Sequence, residues 1–406
     1  MLDISRRTAK LMAHDSMDTS VPLKIHTKLV HAGRNPDEQF GFVNTPIYRG
    51  STVLFKTVAD LKSYSSRFRY GTKGTPTTEA LENAWSELAG AAGTVLVPSG
   101  LAAVALALLA VVKSGDHILV TDNVYWPTRN FCSTVLQRMG VATSYYDPEI
   151  GAGIEALLQP NTSAIFTESP GSLSFEIQDI PAISEVAHRH DICVIMDNTW
   201  ATPLLYPPHA RGADLAIEAG TKYLGGHSDL LLGLVSANEK YWPQLRATFD
   251  AFAMCAGPED VFLALRGLRT MQLRLREAER QALAMAHWFA ARAEVLRVLH
   301  PALPDSPGHA IWKRDFAGSS GLFSVVLKPV SEVAVAAMLD GLRLFGMGFS
   351  WGGFESLVIP FDCTNFRTAT TWNPGGPCLR FQIGMEDVSD LQADLDRGFE
   401  RLINTL

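Results

Sequence analysis

The chain is poor in cysteine, in net positive charge and in long apolar runs, and each shortage excludes a class of protein. Its 406 residues include only five cysteines, which are scattered and contain no Cys-x-x-Cys pair. This pattern gives neither a zinc site nor a disulfide framework, and it suits a reducing compartment. The formal net charge of −7 argues against nucleic acids and anionic membranes as partners.

The apolar runs of the sequence also do not match a signal peptide or a membrane-spanning helix. Residues 1–24 carry several basic side chains but no apolar run long enough for a signal peptide. The longest apolar stretch, residues 101–112, is shorter than the roughly 20 residues that a membrane-spanning helix needs. We therefore expect a cytoplasmic protein with no membrane partner.

The ordering of apolar segments predicts an α/β chain. Residues 1–74 read as an N-terminal arm, because Gly, Pro and polar residues interrupt every periodic run. A helix begins after Thr75, a good N-cap that is followed by Pro76. Short apolar strands then alternate with helices, and we predict them at 94–97, 117–120, 164–167, 192–196 and 215–217. Such alternation indicates a mainly parallel sheet covered on both faces, with ligand sites beyond the carboxyl ends of its strands.

The last third of the chain predicts a smaller α+β domain. A helical region rich in Ala, Leu and Arg runs, with a break, from about 258 to 300. We then predict strands at 321–327 and 378–383 and helices at 333–342 and 387–403. The expected division is an arm at 1–74, a cofactor-binding domain at 75–268 and a C-terminal domain at 269–406.

A lysine and an aspartate follow two of the predicted strands. Lys222 comes shortly after the strand at 215–217, among small and hydroxyl residues. Burial would lower its pKa and make it a nucleophile, whereas the alternative is a solvated loop lysine. Asp197 closes the strand at 192–196 and either faces the ligand crevice or forms a turn. An acid and a lysine at neighbouring strand ends suit pyridoxal phosphate, because the lysine can bind its aldehyde and the acid can keep its pyridine nitrogen protonated.

Three further features could serve a ligand. Residues 99–101 open a helix directly after a strand and offer free backbone N–H groups to an anion, although many strand–helix junctions do so. The absence of G-x-G-x-x-G and G-x-x-x-x-G-K-[ST] motifs disfavours a nicotinamide or nucleoside triphosphate site. Tyr125 follows the strand at 117–120 and either stacks on a flat cofactor or packs in the core. Arg380, in an apolar strand, needs an anionic partner, which is either a substrate carboxylate or a structural acid.

Short motifs along the chain are jointly more specific than any one of them. They are Tyr70-Gly71, Gly74-Thr75-Pro76-Thr77, Pro98-Ser99-Gly100, Met196-Asp197-Asn198-Thr199, Thr221-Lys222-Tyr223 and Gly225-Gly226-His227-Ser228. Their order, from about His26 to the C-terminus, resembles the Cys/Met-metabolism family of pyridoxal-phosphate enzymes. The segments at 318–323 and 350–356 are similar to those of family members that cleave cystathionine.

The resemblance implies a fold, an assembly and an activity. The fold is the fold-type I, transferase-like architecture with a seven-stranded sheet. The assembly is a homotetramer, a dimer of dimers, with active sites at the dimer interface and residues 1–74 contributing to the neighbouring subunit's site. The activity is β-elimination of the small amino acid L-cystathionine to L-homocysteine, pyruvate and ammonia, a reaction of methionine biosynthesis.

The resemblance also implies a role for each matching residue. Lys222 forms the Schiff base and transfers protons, Asp197 pairs with the pyridine nitrogen, and Tyr125 stacks on the cofactor ring and acts in catalysis. The other cofactor contacts that it implies are Ser99, Gly100, Leu101, Thr199, Thr221 and, from the neighbouring subunit, Tyr70. The substrate contacts that it implies are Arg380 for the α-carboxylate, Ser350, Trp351 and Tyr125.

Three positions depart from the family pattern. Thr72 stands where the family has a phosphate-binding arginine, and we hypothesise that Arg69 or Lys73 of the partner arm compensates. Ala219 replaces a serine before the Schiff-base lysine, and Phe349 replaces a pocket tyrosine. Alternatives to the cystathionine reaction are a cysteine desulfhydrase, a cystathionine or methionine γ-lyase, a cystathionine γ-synthase, and a non-catalytic binding protein on the same fold.

Overall fold

The computed structural model describes residues 23–405, which form two sheets and the helices that cover them. The basic N-terminal segment considered above lies almost wholly outside the described residues. The strands are β1 (Gly93–Val97), β2 (His117–Thr121), β3 (Ala142–Tyr146), β4 (Thr162–Glu168), β5 (Cys193–Asp197), β6 (Leu215–Glu218), β7 (Gly233–Ala237), β8 (Val295–Leu299), β9 (Leu322–Leu327), β10 (Leu357–Phe361) and β11 (Cys378–Gln382).

The α-helices of the described residues lie between these strands and at both ends. They are α1 (Ile25–His31), α2 (Val58–Ser63), α3 (Pro76–Ala89), α4 (Gly100–Val111), α5 (Trp126–Phe131), α6 (Ile180–Arg189), α7 (Thr202–Leu205), α8 (Trp242–Phe252), α9 (Pro258–Leu268), α10 (Met271–Ala290), α11 (His309–Asp315), α12 (Glu332–Asp340) and α13 (Val388–Asn404). Between residues 23 and 405, no helix is both long and apolar enough to cross a bilayer.

The large sheet has seven strands in the order β1-β7-β6-β5-β4-β2-β3. Strand β7 pairs antiparallel with β1 and β6, whereas the remaining pairs are parallel. This arrangement confirms the prediction of a mainly parallel, seven-stranded sheet. The carboxyl ends of β2, β4, β5 and β6 meet at one edge, which is where α/β sheets form their ligand sites.

Both faces of the large sheet are buried. Ile195 and Ile217 lie in the hydrophobic cluster on the face that α4 covers. Met196 and Leu234 lie in the cluster on the opposite face, beneath α3 and α9. Burial on two faces explains why β1, β2, β4, β5 and β6 read as continuous apolar runs and were predictable.

The smaller sheet is antiparallel throughout, in the order β10-β11-β9-β8. Helices α10, α12 and α13 cover it, and aromatic rings fill the space between. Phe289 lies at the centre, with its ring centroid 4.7 Å from that of Phe381. These elements confirm the predicted α+β character of the C-terminal region.

The predicted helical region at 258–300 is wrong at its end. Helices α9 and α10 are separated at Arg269 and Thr270, α10 ends at Ala290, and residues 295–299 form β8. This segment pairs with β9, and backbone pairing in a sheet overrides its weak local preference for helix. Strands β3, β7 and β10 were also not predicted. Strand β3 is an edge strand whose residues are mostly part-exposed, so it lacks an apolar run.

The described part of the arm is less uniformly extended than the sequence suggested. Helix α1 packs against α3 and places Leu29 and Ala32 in the core. Beyond it the chain crosses the surface and leaves large apolar side chains in solvent. Phe40 is 94% exposed and Leu54 is 89% exposed.

Candidate active site

A cavity of about 390 Å³ opens at the carboxyl edge of the large sheet, where the smaller domain meets it. It brings together eleven of the twelve predicted site residues, and Tyr70 is the exception. The eleven that line it are Ser99, Gly100, Leu101, Tyr125, Asp197, Thr199, Thr221, Lys222, Ser350, Trp351 and Arg380. Lys222 and Ser350, which are 128 positions apart in the sequence, therefore meet in one site.

Lys222 lies four residues beyond β6 and extends into this cavity rather than into solvent. Its Nζ donates a hydrogen bond to Ser350 Oγ at 2.7 Å and lies 5.1 Å from the centroid of the Trp351 ring. Burial, reinforced by the positive charge of Arg380, lowers the pKa of Lys222 to about 8. A substantial fraction of the amine is therefore neutral near physiological pH, as a nucleophile or base requires.

Asp197 ends β5 and lies part-buried at the cavity wall. Its Oδ1 accepts hydrogen bonds from Thr199 N at 3.1 Å and from Thr199 Oγ1 at 2.6 Å. Thr199 Oγ1 in turn accepts from Ala219 N at 2.9 Å, which ties the end of β5 to the segment before Lys222. Asp197 forms no ion pair with any residue between 23 and 405, and burial raises its pKa. A cationic N–H placed in the cavity would supply the missing partner.

Arg380, on β11, presents an unpaired positive charge. Its Nη2 donates to the carbonyl oxygen of Ser350 at 3.0 Å, and no group between residues 23 and 405 accepts from its buried Nε. No carboxylate within the described residues pairs with Arg380. None of these residues is therefore the structural acid that was the alternative to a substrate carboxylate. Burial lowers the pKa of Arg380 to about 10, which still leaves it charged at neutral pH. An anionic ligand is the partner that this geometry calls for.

The N-terminus of α4 lies at the cavity wall. Ser99 caps the helix, its Oγ accepting from Ala102 N at 3.1 Å. Gly100 faces Ala219 so closely that a Cβ at position 100 would lie 2.7 Å from the Ala219 side chain. Free N–H groups and the positive end of the helix dipole suit a phosphate here, with Thr221 close by along the cavity wall.

Glu168 is a residue of this site that sequence analysis missed. It ends β4 in register with Asp197 on β5, and its Oε2 accepts a hydrogen bond from Tyr125 N at 2.8 Å. Burial and the nearby Asp197 carboxylate raise the pKa of Glu168 well above its usual range. The position of an acid at the end of an apolar strand, the signal that selected Asp197, could have found it.

The segment that carries Ser350 and Trp351 is conformationally strained. Ser350 has φ +78°, a left-handed conformation that costs a non-glycine residue about 1–3 kcal/mol. The following Gly352 has φ +82°, and a Cβ there would lie 3.0 Å from Tyr223 N. This turn directs the Ser350 hydroxyl at Lys222 and packs Trp351 against Tyr223. At the cavity mouth the Phe349 side chain is 88% exposed.

Tyr70 lies outside the cavity of its own chain. It is half-exposed on the arm and forms a bridge with Thr52. The cations proposed to compensate for Thr72 already have partners within the chain. Arg69 donates to the Leu61 carbonyl at 2.7 Å and stacks on Tyr64, and Lys73 pairs with Asp250 at 3.3 Å.

These residues fit pyridoxal phosphate. The helix N-terminus suits its phosphate, the unpaired Asp197 carboxylate suits its protonated pyridine nitrogen, and the buried Lys222 amine suits its aldehyde. All three groups line the same cavity, so a single cofactor molecule could contact them together.

Comparison with known proteins agrees with this chemistry. The model of the family described as Cys/Met metabolism PLP-dependent enzyme matches residues 26–400. The chain is 52% identical to a Rhizobium johnstonii protein provisionally named as a cystathionine β-lyase, over 92% of this chain and 96% of the relative. It is 44% identical to a cystathionine β-lyase of Escherichia coli, over 94% and 99% of the two chains.

A solved structure has the same fold. The cystathionine γ-synthase of Xanthomonas oryzae pv. oryzae, in complex with aminoacrylate and cysteine, superposes with a TM-score of 0.88 at 32% identity. The match covers 95% of this chain and all of the other. This chain is therefore a member of the Cys/Met metabolism family of pyridoxal-phosphate-dependent enzymes, with the fold-type I architecture and pyridoxal phosphate as its cofactor.

Proposed function

We propose that this chain is a carbon–sulfur lyase that cleaves L-cystathionine by β-elimination to L-homocysteine, pyruvate and ammonia. One observation carries the proposal: an amine of lowered pKa, Lys222 Nζ, shares a cavity with the unpaired guanidinium of Arg380. The first can move a proton at the substrate Cα, and the second can hold the substrate α-carboxylate. The names of the similar β-lyases support the choice of substrate.

Arg380 fixes the substrate before the reaction. Its guanidinium can form two parallel hydrogen bonds to a carboxylate, which sets the orientation of the amino acid as well as its position. Because Ser350 O already accepts one of its N–H groups, the guanidinium is itself held in place. A substrate held by Arg380 would lie in the same cavity as the Lys222 amine.

Lys222 moves the protons of the reaction. Pyridoxal phosphate, held by Lys222, Asp197 and the N-terminus of α4, would supply the electron sink that stabilises negative charge at Cα. With the cofactor bound, the Lys222 amine would take the Cα proton, and the electron pair would form the Cα–Cβ double bond as the Cβ–S bond breaks. The same ammonium returns a proton to the departing sulfur, and water hydrolyses the released enamine to pyruvate and ammonia.

Ser350 and Asp197 prepare these groups. The Ser350 hydroxyl accepts from Lys222 Nζ and so orients the amine across the cavity. Asp197, through its buried carboxylate, holds a positive charge on the pyridine nitrogen, which strengthens the electron sink. Thr199 fixes the orientation of that carboxylate.

The alternative within the family is elimination at Cγ, which needs a second proton to be removed from Cβ. Trp351, packed against Tyr223 at 5.4 Å between ring centroids, occupies the side of the cavity beside Lys222. Its bulk leaves less room for the rearranged substrate that the γ reaction requires. This observation favours the β reaction.

The test is a product assay on the purified protein with L-cystathionine. We expect pyruvate and homocysteine to be the main products. Lys222→Ala should abolish both, and Lys240→Ala, at an exposed lysine on the far side of the sheet, should not change them. Dominant 2-oxobutyrate would identify a γ-lyase instead, and bound cofactor without any product would identify a binding protein.

We further propose that the active unit is a dimer within a homotetramer, with residues 1–74 as an arm that reaches the neighbouring site. The support is that the arm carries strongly exposed apolar side chains and that Tyr70 does not line its own cavity. Such a surface is typical of a subunit interface. We also propose the division into a cofactor domain at 75–268 and a C-terminal domain at 269–406, and a cytoplasmic location, which suits the free cysteines.

A further inference from the structure

The loop between β10 and β11, residues 362–377, leaves the smaller domain and attaches to the larger one. Its main attachment is Asp122, the first residue after β2, which is only 2% exposed. Asp122 Oδ2 accepts from Thr370 N and Thr370 Oγ1, both at 2.8 Å, and from Ala369 N at 3.1 Å. Its Oδ1 accepts from Thr368 N at 2.9 Å and from Arg129 Nη2 at 2.6 Å. Although burial opposes ionisation, these hydrogen bonds lower the pKa of Asp122.

The same loop makes a second contact on the other side of Tyr125. Trp126, the first residue of α5, stacks on Phe366 with ring centroids 4.6 Å apart. The loop therefore holds the chain three residues before Tyr125 and one residue after it. Glu168 holds the backbone N–H of Tyr125 itself.

A third attachment reaches the opposite wall of the cavity. Arg367 Nη2 donates to Glu176 Oε1 at 2.8 Å and to Ser174 Oγ at 2.5 Å, and Asn123 Nδ2 donates to Glu176 Oε2 at 3.1 Å. Residues 170–173 and 175, which are next to Ser174 and Glu176 in the sequence, line the cavity. One loop thus ties together two segments that form cavity walls.

We infer that the 362–377 loop is the element that sets the position of Tyr125 over the cofactor ring, and that Asp122 is the positioning residue through which it acts. The inference rests on the cofactor site proposed above. Tyr125 is half-exposed and its side chain has no hydrogen bond among the described residues, so nothing but its backbone and its neighbours fixes the ring. Since the loop belongs to the smaller domain, the placement of Tyr125 depends on how the two domains meet.

The test is a double-mutant cycle on cofactor affinity, measured by titrating apoenzyme with pyridoxal phosphate. Asp122→Asn keeps the shape of the side chain but replaces one acceptor oxygen by an N–H₂ donor that faces the backbone N–H groups of the loop. We expect the dissociation constant to rise by about tenfold or more in this variant, since hydrogen bonds to a buried charge are lost. In a Tyr125→Ala background the same change should have an effect of no more than about twofold.

Asp179→Asn is the matched control. Asp179 also bridges the two domains, through Arg314 at 2.8 Å, but neither residue lines the cavity. We expect no change in cofactor affinity there. An equal loss of affinity for Asp122→Asn in both Tyr125 backgrounds would overturn the inference and make Asp122 a purely structural tie.

A second pair of variants, at Thr370, tests the same inference if Asp122→Asn does not fold. Thr370→Val removes one hydroxyl donor to Asp122 and keeps the backbone, whereas Thr370→Ser retains the hydroxyl. We expect Thr370→Val to weaken cofactor binding severalfold and Thr370→Ser to restore it. Equal affinity in the two variants would contradict the inference. Because cofactor affinity does not depend on which bond is cleaved, this outcome is separate from the product assay.

Discussion

Two lysines of this chain show how the surroundings of an amine set its chemistry. Lys240 is exposed and donates to the Asp191 carboxylate at 2.6 Å, and this hydrogen bond raises its pKa. Lys222 is part-buried in the cavity and has a hydroxyl as its partner, and its desolvation together with the nearby charge of Arg380 lowers its pKa to about 8. Only Lys222 is therefore poised to act as a nucleophile near neutral pH.

The lowered pKa predicts how the apoenzyme reacts with its cofactor. Only the neutral amine attacks an aldehyde, so the rate of Schiff-base formation should rise by about tenfold per pH unit below pH 8 and level off above it. Stopped-flow absorbance of apoenzyme mixed with pyridoxal phosphate would measure this rate. A rate that continues to rise through pH 10 would mean that Lys222 behaves as an ordinary solvated lysine.

Glu168 supports a prediction about a carboxyl group whose burial favours its neutral form. Burial raises the pKa of Glu168 well above its usual range, and its Oε2 accepts from Tyr125 N. A glutamine is neutral and keeps an acceptor oxygen at this position. We expect Glu168→Gln to keep turnover within a few-fold of the wild type. Glu168→Leu, which leaves the Tyr125 N–H without its acceptor, should lower turnover by about tenfold or more. Steady-state kinetics on both variants would decide, and equal loss in both would mean that Glu168 acts as an anion.

At the scale of elements, the start of α4 shows how a turn prepares an anion site. The helix begins at Gly100 directly beyond β1, and its apolar sequence buries it between the large sheet and α8. Its N-terminus is therefore fixed in position, and its free N–H groups face the cavity. A phosphate bound there needs no movement of the helix.

We predict that Gly100→Ala weakens cofactor binding. The added Cβ would lie 2.7 Å from the Ala219 side chain, so either α4 or the segment before Lys222 must shift. We expect the dissociation constant for pyridoxal phosphate to rise by about tenfold, measured by titration of the apoenzyme. Gly153→Ala is the control and should bind normally, because Gly153 does not line the cavity and the added carbon would meet only the Ile150 side chain, at 3.2 Å. Unchanged affinity in Gly100→Ala would show that this junction tolerates displacement.

The elements differ in how much the sequence reveals of them. Strands β1, β2, β4, β5 and β6 are predictable because burial on both faces requires continuous apolar runs. Strand β3, at the sheet edge and part-exposed, has no such run, and β8 is specified by its pairing with β9. Local pattern carries no information about pairing partners, which is why the helical prediction extended too far.

The candidate site divides in the same way. Lys222, Asp197 and Ser99 stand at strand ends, where sequence order alone indicates a ligand crevice. The bonds between Asp122 and Thr370 join residues that are 248 positions apart, and no spacing rule predicts them. The roles of individual residues came from motif resemblance, and the convergence of those residues on one cavity came from the fold.

At the scale of the whole molecule, the single chain leaves surface that a subunit interface would cover. The strongly exposed apolar residues of the arm include Phe40 and Leu54, while the buried end of the same region, at Leu29, is anchored to the chain's own core. The described arm is thus attached to the rest of the chain at Leu29 and through the Lys73–Asp250 pair, and between these points it leaves Phe40 and Leu54 exposed. An apolar surface of this kind is stabilised when a second copy of the chain covers it.

If the arm completes the neighbouring site, then two inactive subunits should restore each other. Tyr70→Ala damages the arm, and Lys222→Ala damages the cavity of the chain that carries it. In a mixed dimer one site receives both defects and the other receives neither, so random mixing should restore about a quarter of wild-type activity. Co-expression of the two variants, with each expressed alone for reference, would measure it. Lys222→Ala mixed with Asp197→Ala should give no recovery, because both residues line the cavity of one chain. Absence of recovery in the first mixture, with Tyr70→Ala inactive alone, would place Tyr70 at the site of its own chain.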